Sequence, residues 1–186
     1  MEQLKTHPTI GACGLDCGLC PRYYTVGTSR CPGCGGPGFS DKHPSCSFIT
    51  CCVKKKGLEA CGQCREFPCS KFKSEEEYRR VPLSSSYPPY GRTLSNLRFI
   101  QEKGIGKFAT LQRERISLLE VMLERYDDGR SKSFFCKAAA LLEPAAVKRS
   151  LDEAKAAAGA EKTDALRAAL TEAALRSGTE LKAKKS

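Results

Sequence analysis

Cysteine spacing restricts this chain more than any other feature. From Cys13 to Cys69 it reads CGLDCGLC, then CPGC, a lone cysteine, CC and CGQCREFPC, and these 57 residues hold eleven of its twelve cysteines. The same stretch offers only eleven large apolar residues: Leu15, Leu19, Tyr23, Tyr24, Val26, Phe39, Phe48, Ile49, Val53, Leu58 and Phe67. So few apolar side chains cannot offset the entropy of ordering so much backbone. Cross-links must make up the difference, and with cysteine they are either metal ions or disulfides.

The amino terminus favours metal. MEQLKTHPTI has no apolar run behind a basic start, so it does not read as a secretion signal. A cytoplasmic location is therefore expected, where thiols stay reduced and cysteine pairs are more often metal ligands. A disulfide framework is the alternative.

A Cys-x-x-Cys turn points two sulfurs at one metal. Three are present: Cys17/Cys20, Cys31/Cys34 and Cys61/Cys64. Pro32 and Gly35 in CPGCG suit the tight knuckle of zinc ribbons and rubredoxins. Two tetrahedral zinc ions are expected. One would use Cys17, Cys20, Cys31 and Cys34, and the other Cys51, Cys61, Cys64 and Cys69. Cys13 and Cys46 can exchange into either site, so the partition stays open. His43, in DKHPSC, would complete ligands for a third zinc ion, although a solvated loop histidine is the plainer reading. His7 is expected to be unbound in a mobile arm, Cys52 to be a spare or alternate ligand, and Cys136 to be a buried, inert thiol.

Iron is the alternative cofactor. Cys13-x3-Cys17-x2-Cys20 has the spacing that radical SAM enzymes use for a [4Fe–4S] cluster, but the chain has neither the length nor the strands for their barrel. A plain [4Fe–4S] cluster needs only four thiolates. Neither metal fixes a reaction, since closed tetrathiolate zinc is structural. With two histidines and no HExxH helix, no catalytic residue is assigned, and the balance leans away from an enzyme.

Thirty-one basic residues against 21 acidic give a formal charge of +10. Each tetrathiolate zinc would carry −2, so two sites lower the total to about +6. A nucleic-acid partner, with phosphate contacts from Lys54 to Lys56, is permitted but not required. No apolar run is long enough for a membrane span.

The expected fold is mainly α. An irregular, metal-organised, Cys-rich region of knuckles, short strands and helices (1–80) leads through a Pro/Ser linker (81–91) to a helical region packed on it (92–186). Ser74 and Glu77 make a capping box for a brief helix. Leu94, Leu97 and Ile100 mark a helix stopped by Gly104, and Phe108 to Tyr126 a longer one ended by Asp127–Gly129. Phe134 to Leu142 mark a third. Pro144 fits the first turn of a fourth that carries Val147, Leu151, Ala154 and Ala158. Thr163 is expected to cap a fifth, bearing Leu166, Leu170 and Ala173, with Gly178 after it. Arg130, Ser131, Lys132 and Ser133 precede a helix and form a candidate anion site.

CGLDCGLCP (Cys13–Pro21), the Cys31–Cys34 turn, the Cys46 and Cys51 pair, CGQCREFPC (Cys61–Cys69) and NLRFIQEKGIGKF (Asn96–Phe108) together resemble a cysteine-rich bacterial and archaeal family, the domain of unknown function numbered 3795. The resemblance covers roughly residues 10–125. It implies a metal-binding domain on Cys13, Cys17, Cys20, Cys31, Cys34, Cys46, Cys51, Cys61, Cys64 and Cys69, and it implies no activity. The expected function is a zinc-stabilised interaction module that docks a protein partner or a second copy. Iron–sulfur redox work and nucleic-acid binding are the competing readings.

Overall fold

The computed structural model describes residues 3–43, 45–72, 74, 76–77, 90–155 and 161–181. The expected 81–91 linker lies almost wholly outside them, as does Ala158. Among the described residues the chain is mainly helical and has no strand. Short strands were one expectation for the Cys-rich region, but its backbone closes on itself locally instead. The Cys17–Leu19 and Cys61–Gln63 turns are 3₁₀. The Cys20 amide bonds back to the Cys17 carbonyl and the Cys64 amide to Cys61, so each Cys-x-x-Cys pair brackets one tight turn. Helix α1 (Phe39–Lys42) and a π-helical turn (Ile49–Lys55) complete this region. The capping box forms as well: Ser74 and Glu77 exchange hydrogen bonds between backbone and side chain.

Five longer helices follow: α2 (Thr93–Lys103), α3 (Ile105–Tyr126), α4 (Lys132–Leu141), α5 (Pro144–Ala154) and α6 (Glu161–Arg176). Pro144 occupies the first turn of α5, where its missing N–H costs nothing. Thr163 departs from expectation. It lies inside α6 rather than at its cap, and its buried hydroxyl donates to the Tyr126 carbonyl at 2.7 Å. That bond satisfies a carbonyl at the end of α3 and ties α6 to it.

The chain forms two cores. The first gathers Ile10, Ala12, Phe39, Ile49 and Phe67 with Cys34, Cys52 and Cys61, and closes them under Leu94, Leu97 and Ile100 of α2 and Phe108 of α3. Gly62 permits this closure, because a Cβ there would stand 2.3 Å from the Leu97 carbonyl oxygen. The second core packs Leu119, Met122 and Tyr126 of α3 against Phe135, Leu142, Val147, Leu151, Leu166 and Leu170. Each large side chain there contributes about 1.5–3 kcal/mol on burial. Helix α3 serves both cores. Its Arg115, 2% exposed, donates to the carbonyls of Ala139 and Leu142, groups left free at the end of α4. No described helix is long and apolar enough to cross a membrane.

Candidate metal centre

The CGLDCGLC segment sits where the two cores meet, and three successive needs are met within four of its residues. Asp16 is buried between the Cys-rich region and the helices. Its Oδ1 accepts a hydrogen bond from the Asn96 side-chain amide at 3.0 Å and another from the Gln112 amide, while the Arg92 Nε stands 3.4 Å from Oδ2. Burial pushes the Asp16 carboxyl up, and Arg92, Asn96 and Gln112 oppose that rise. Cys17 turns toward the sulfurs of the first core. Leu19, 1% exposed, enters the second core.

Around Cys17 the sulfurs stand in pairs. Cys17 and Cys34 act strongly on one another, and the Cys34 Sγ accepts the Ala12 amide at 3.3 Å. Cys17 holds the Cys34 thiol down at about 6, helped by the Lys5 charge and the Ala12 amide, whereas Cys34 and burial push Cys17 up. Cys52 and Cys61 make a second interacting pair, in which Cys52 is lowered and Cys61 raised, each being the largest influence on the other, while the Cys52 thiol donates to the Leu58 carbonyl at 3.5 Å. Cys13 links the pairs: burial pushes its thiol up to about 12, and it lies within reach of the charges of Cys34 and Cys46. Cys13 and Cys69 in turn act on Cys61. This gathering draws on four separate parts of the sequence.

The remaining sulfurs lie apart from it. Cys20 is influenced by Cys31, and the Cys31 Sγ is 3.9 Å from the His43 Nε2, with the imidazole stacked on Phe39. Cys136, buried in the helical core, has its thiol pushed up by desolvation, with Cys20 the strongest charge effect on it. The Cys64 Sγ accepts from the Lys56 ammonium at 3.2 Å, and that ammonium also pairs with Glu66 at 2.7 Å. Cys51 is half-buried on the π-helical turn beside Cys52.

Within the expected set of Cys17, Cys20, Cys31 and Cys34, Cys17 and Cys34 act on one another and Cys31 acts on Cys20. Cys52, expected as a spare or alternate ligand, acts on Cys61. The spacing could not show this, because a Cys-x-x-Cys turn fixes which sulfurs are neighbours in the chain but not which turn packs against which. Among the described residues no group of three or more His, Cys, Asp or Glu side chains is placed to hold a metal ion. The donor set fits a thiophilic cation in kind: paired thiols, an amide aimed at sulfur and a buried positive charge nearby. In placement, the sulfurs are presented in twos.

Several groups of the expected anion site are engaged within the chain. Asp128 Oδ1 accepts the amides of Arg130 and Ser131 at 2.9 and 2.8 Å, so the donors an anion would use already hold a carboxylate. Ser131 is fully buried and accepts from Arg167, and the Lys132 ammonium reaches the Tyr24 carbonyl. His7 also departs from the free-arm expectation, since its amide donates to Glu59 at 2.9 Å. Sequence reading missed Lys5, Asp16 and Gln112. The one available signal was a charged residue set inside an otherwise small and apolar motif, CGLDCGLC.

Residues 9–74 match a family model described as Protein of unknown function (DUF3795). The cysteine-rich segment belongs to this family. The DUF3795 segment contains every one of the clustered sulfurs, and α2 and α3, which cover it, lie beyond the match. No curated protein and no solved structure matches the chain.

Proposed function

We propose that this protein binds zinc through the thiolates of its DUF3795 segment and uses the metal-stiffened surface as an interaction module. The observation that carries the reading is the burial of Cys34, Cys52 and Cys61, from separate parts of the sequence, in the first core, with Cys17, Cys46 and Cys64 packed against it. Cys46 and Cys69 stand at its margin and supply further sulfur. Cys34 is already favoured as the anion by Cys17, the Lys5 charge and the Ala12 amide, and a soft cation would replace the proton on the sulfurs around it. Zinc bound to such sulfurs supplies cross-linking rather than chemistry. The chain's own part is to hold the sulfurs on rigid turns, to aim the Ala12 amide at Cys34 and to shield the cluster beneath α2.

Elemental analysis and an absorption spectrum of anaerobically purified protein test this reading. Colourless protein with stoichiometric zinc is the expected result. A brown preparation containing iron and sulfide would replace zinc with an iron–sulfur cluster, and protein with stoichiometric free thiols and no metal would end the proposal.

A further inference from the structure

Lys5 lies in the amino-terminal arm, a segment without periodicity or motif, yet only 3% of it is exposed. The arm is bound down on both sides of the Cys31–Cys34 turn. The Leu4 amide donates to the Gly35 carbonyl and the Cys34 amide to the Pro8 carbonyl, each at 2.7 Å. Glu59 secures the arm from the other side, accepting the Thr6 and His7 amides at 2.6 and 2.9 Å. The Lys5 stem passes directly over Gly35, where a Cβ would stand 2.9 Å from its Cγ. Gly35 has φ of 70°, so glycine is favoured there on two grounds.

The ammonium at the end of this stem donates to the Ile10 carbonyl. Among the described residues no carboxylate forms an ion pair with it. A buried ammonium held by one carbonyl is costly unless anions lie close by. The groups its charge acts on are Cys34, Cys17 and Cys52, together with Glu59. The Lys5 stem lies against Gly35, next to Cys34, and Cys34, Cys52 and Cys61 share the first core, so a buried cation stands beside the sulfur-bearing core.

We propose that Lys5 is the counter-ion of the thiol cluster, its buried ammonium balancing part of the negative charge that the sulfurs carry when they hold a zinc ion. This rests on the proposed zinc binding and extends it: the arm before the first cysteine belongs to the site. A tetrathiolate zinc has a net charge of −2, which is expensive in a desolvated setting. Lys5 lowers that cost without becoming a ligand, so it is a positioning and charge-balancing residue.

The experiment is zinc competition against a chromophoric chelator, comparing the wild-type chain with Lys5→Met and Lys5→Arg, with helicity checked by circular dichroism. Lys5→Met is expected to keep the zinc stoichiometry while losing affinity by about 10–100-fold, the range typical of residues just outside the ligand set. Lys5→Arg keeps the charge and should recover most of that loss. If Lys5→Met fails to fold, Lys5→Gln against Lys5→Arg makes the same comparison. Equal affinity of Lys5→Met and wild type overturns the counter-ion role and leaves zinc binding standing. Equal losses in the Met and Arg variants also overturn it, because packing rather than charge would then be at stake. Wild-type protein that takes up no zinc overturns both readings together.

Discussion

The two cores of this molecule are built on opposite terms. The helical core needs nothing but its own sequence: Leu119, Met122, Phe135, Leu142, Leu166 and Leu170 are all essentially inaccessible to water, and their helices are set by ordinary apolar periodicity. The first core also buries large apolar residues, Ile10, Ile49, Phe67, Leu97 and Phe108 among them, but it sets sulfur among them and has a buried lysine and a buried aspartate beside it.

The strongest way to break this contrast is to remove the metal. If zinc holds the first core together, chelation should abolish slow amide exchange across residues 9–74 while α4, α5 and α6 keep theirs, as hydrogen-exchange mass spectrometry would show. Uniform loss of protection would mean that the cores are a single cooperative unit. Next in size is Asp16→Ala. It strands Arg92, Asn96 and Gln112 around a site with no partner, and should cost about 3–5 kcal/mol in urea unfolding. A loss below about 1 kcal/mol would show that the bridge between the cores contributes little.

Leu119→Ala should follow at about 2–5 kcal/mol. Its effect should fall on the helical core, leaving zinc affinity within error of wild type, and a parallel loss of zinc affinity would erase the distinction. Thr163→Val is the mildest test. Losing its bond to the Tyr126 carbonyl should cost about 1 kcal/mol, measurable as a small drop in urea midpoint without any change in metal content.

The same contrast explains what could be read in advance. All five long helices were legible, because Leu94, Leu97 and Ile100 in α2, or Val147 and Leu151 in α5, recur at a spacing that only a helix satisfies. The cysteines were legible as a group because eleven of the twelve fall between Cys13 and Cys69. Their pairing was not: whether Cys17 meets Cys34 or Cys20 depends on how one turn packs on another, which no local pattern encodes. Thr163 misled because a threonine near a helix start reads as a cap, whereas its hydroxyl is used across the fold on Tyr126. Lys5 was invisible, since a lysine is ordinarily solvated and only the placement of Gly35 and Glu59 around the arm draws it inward.

Asp16, Cys17 and Leu19 lie within four positions yet answer to three surroundings: a polar bridge, a sulfur cluster and an oily interior. Insert or delete one amino acid among them and all three anchors lose their places at once. The spacing of that octapeptide is therefore a ruler, and the rest of the protein has been measured against it.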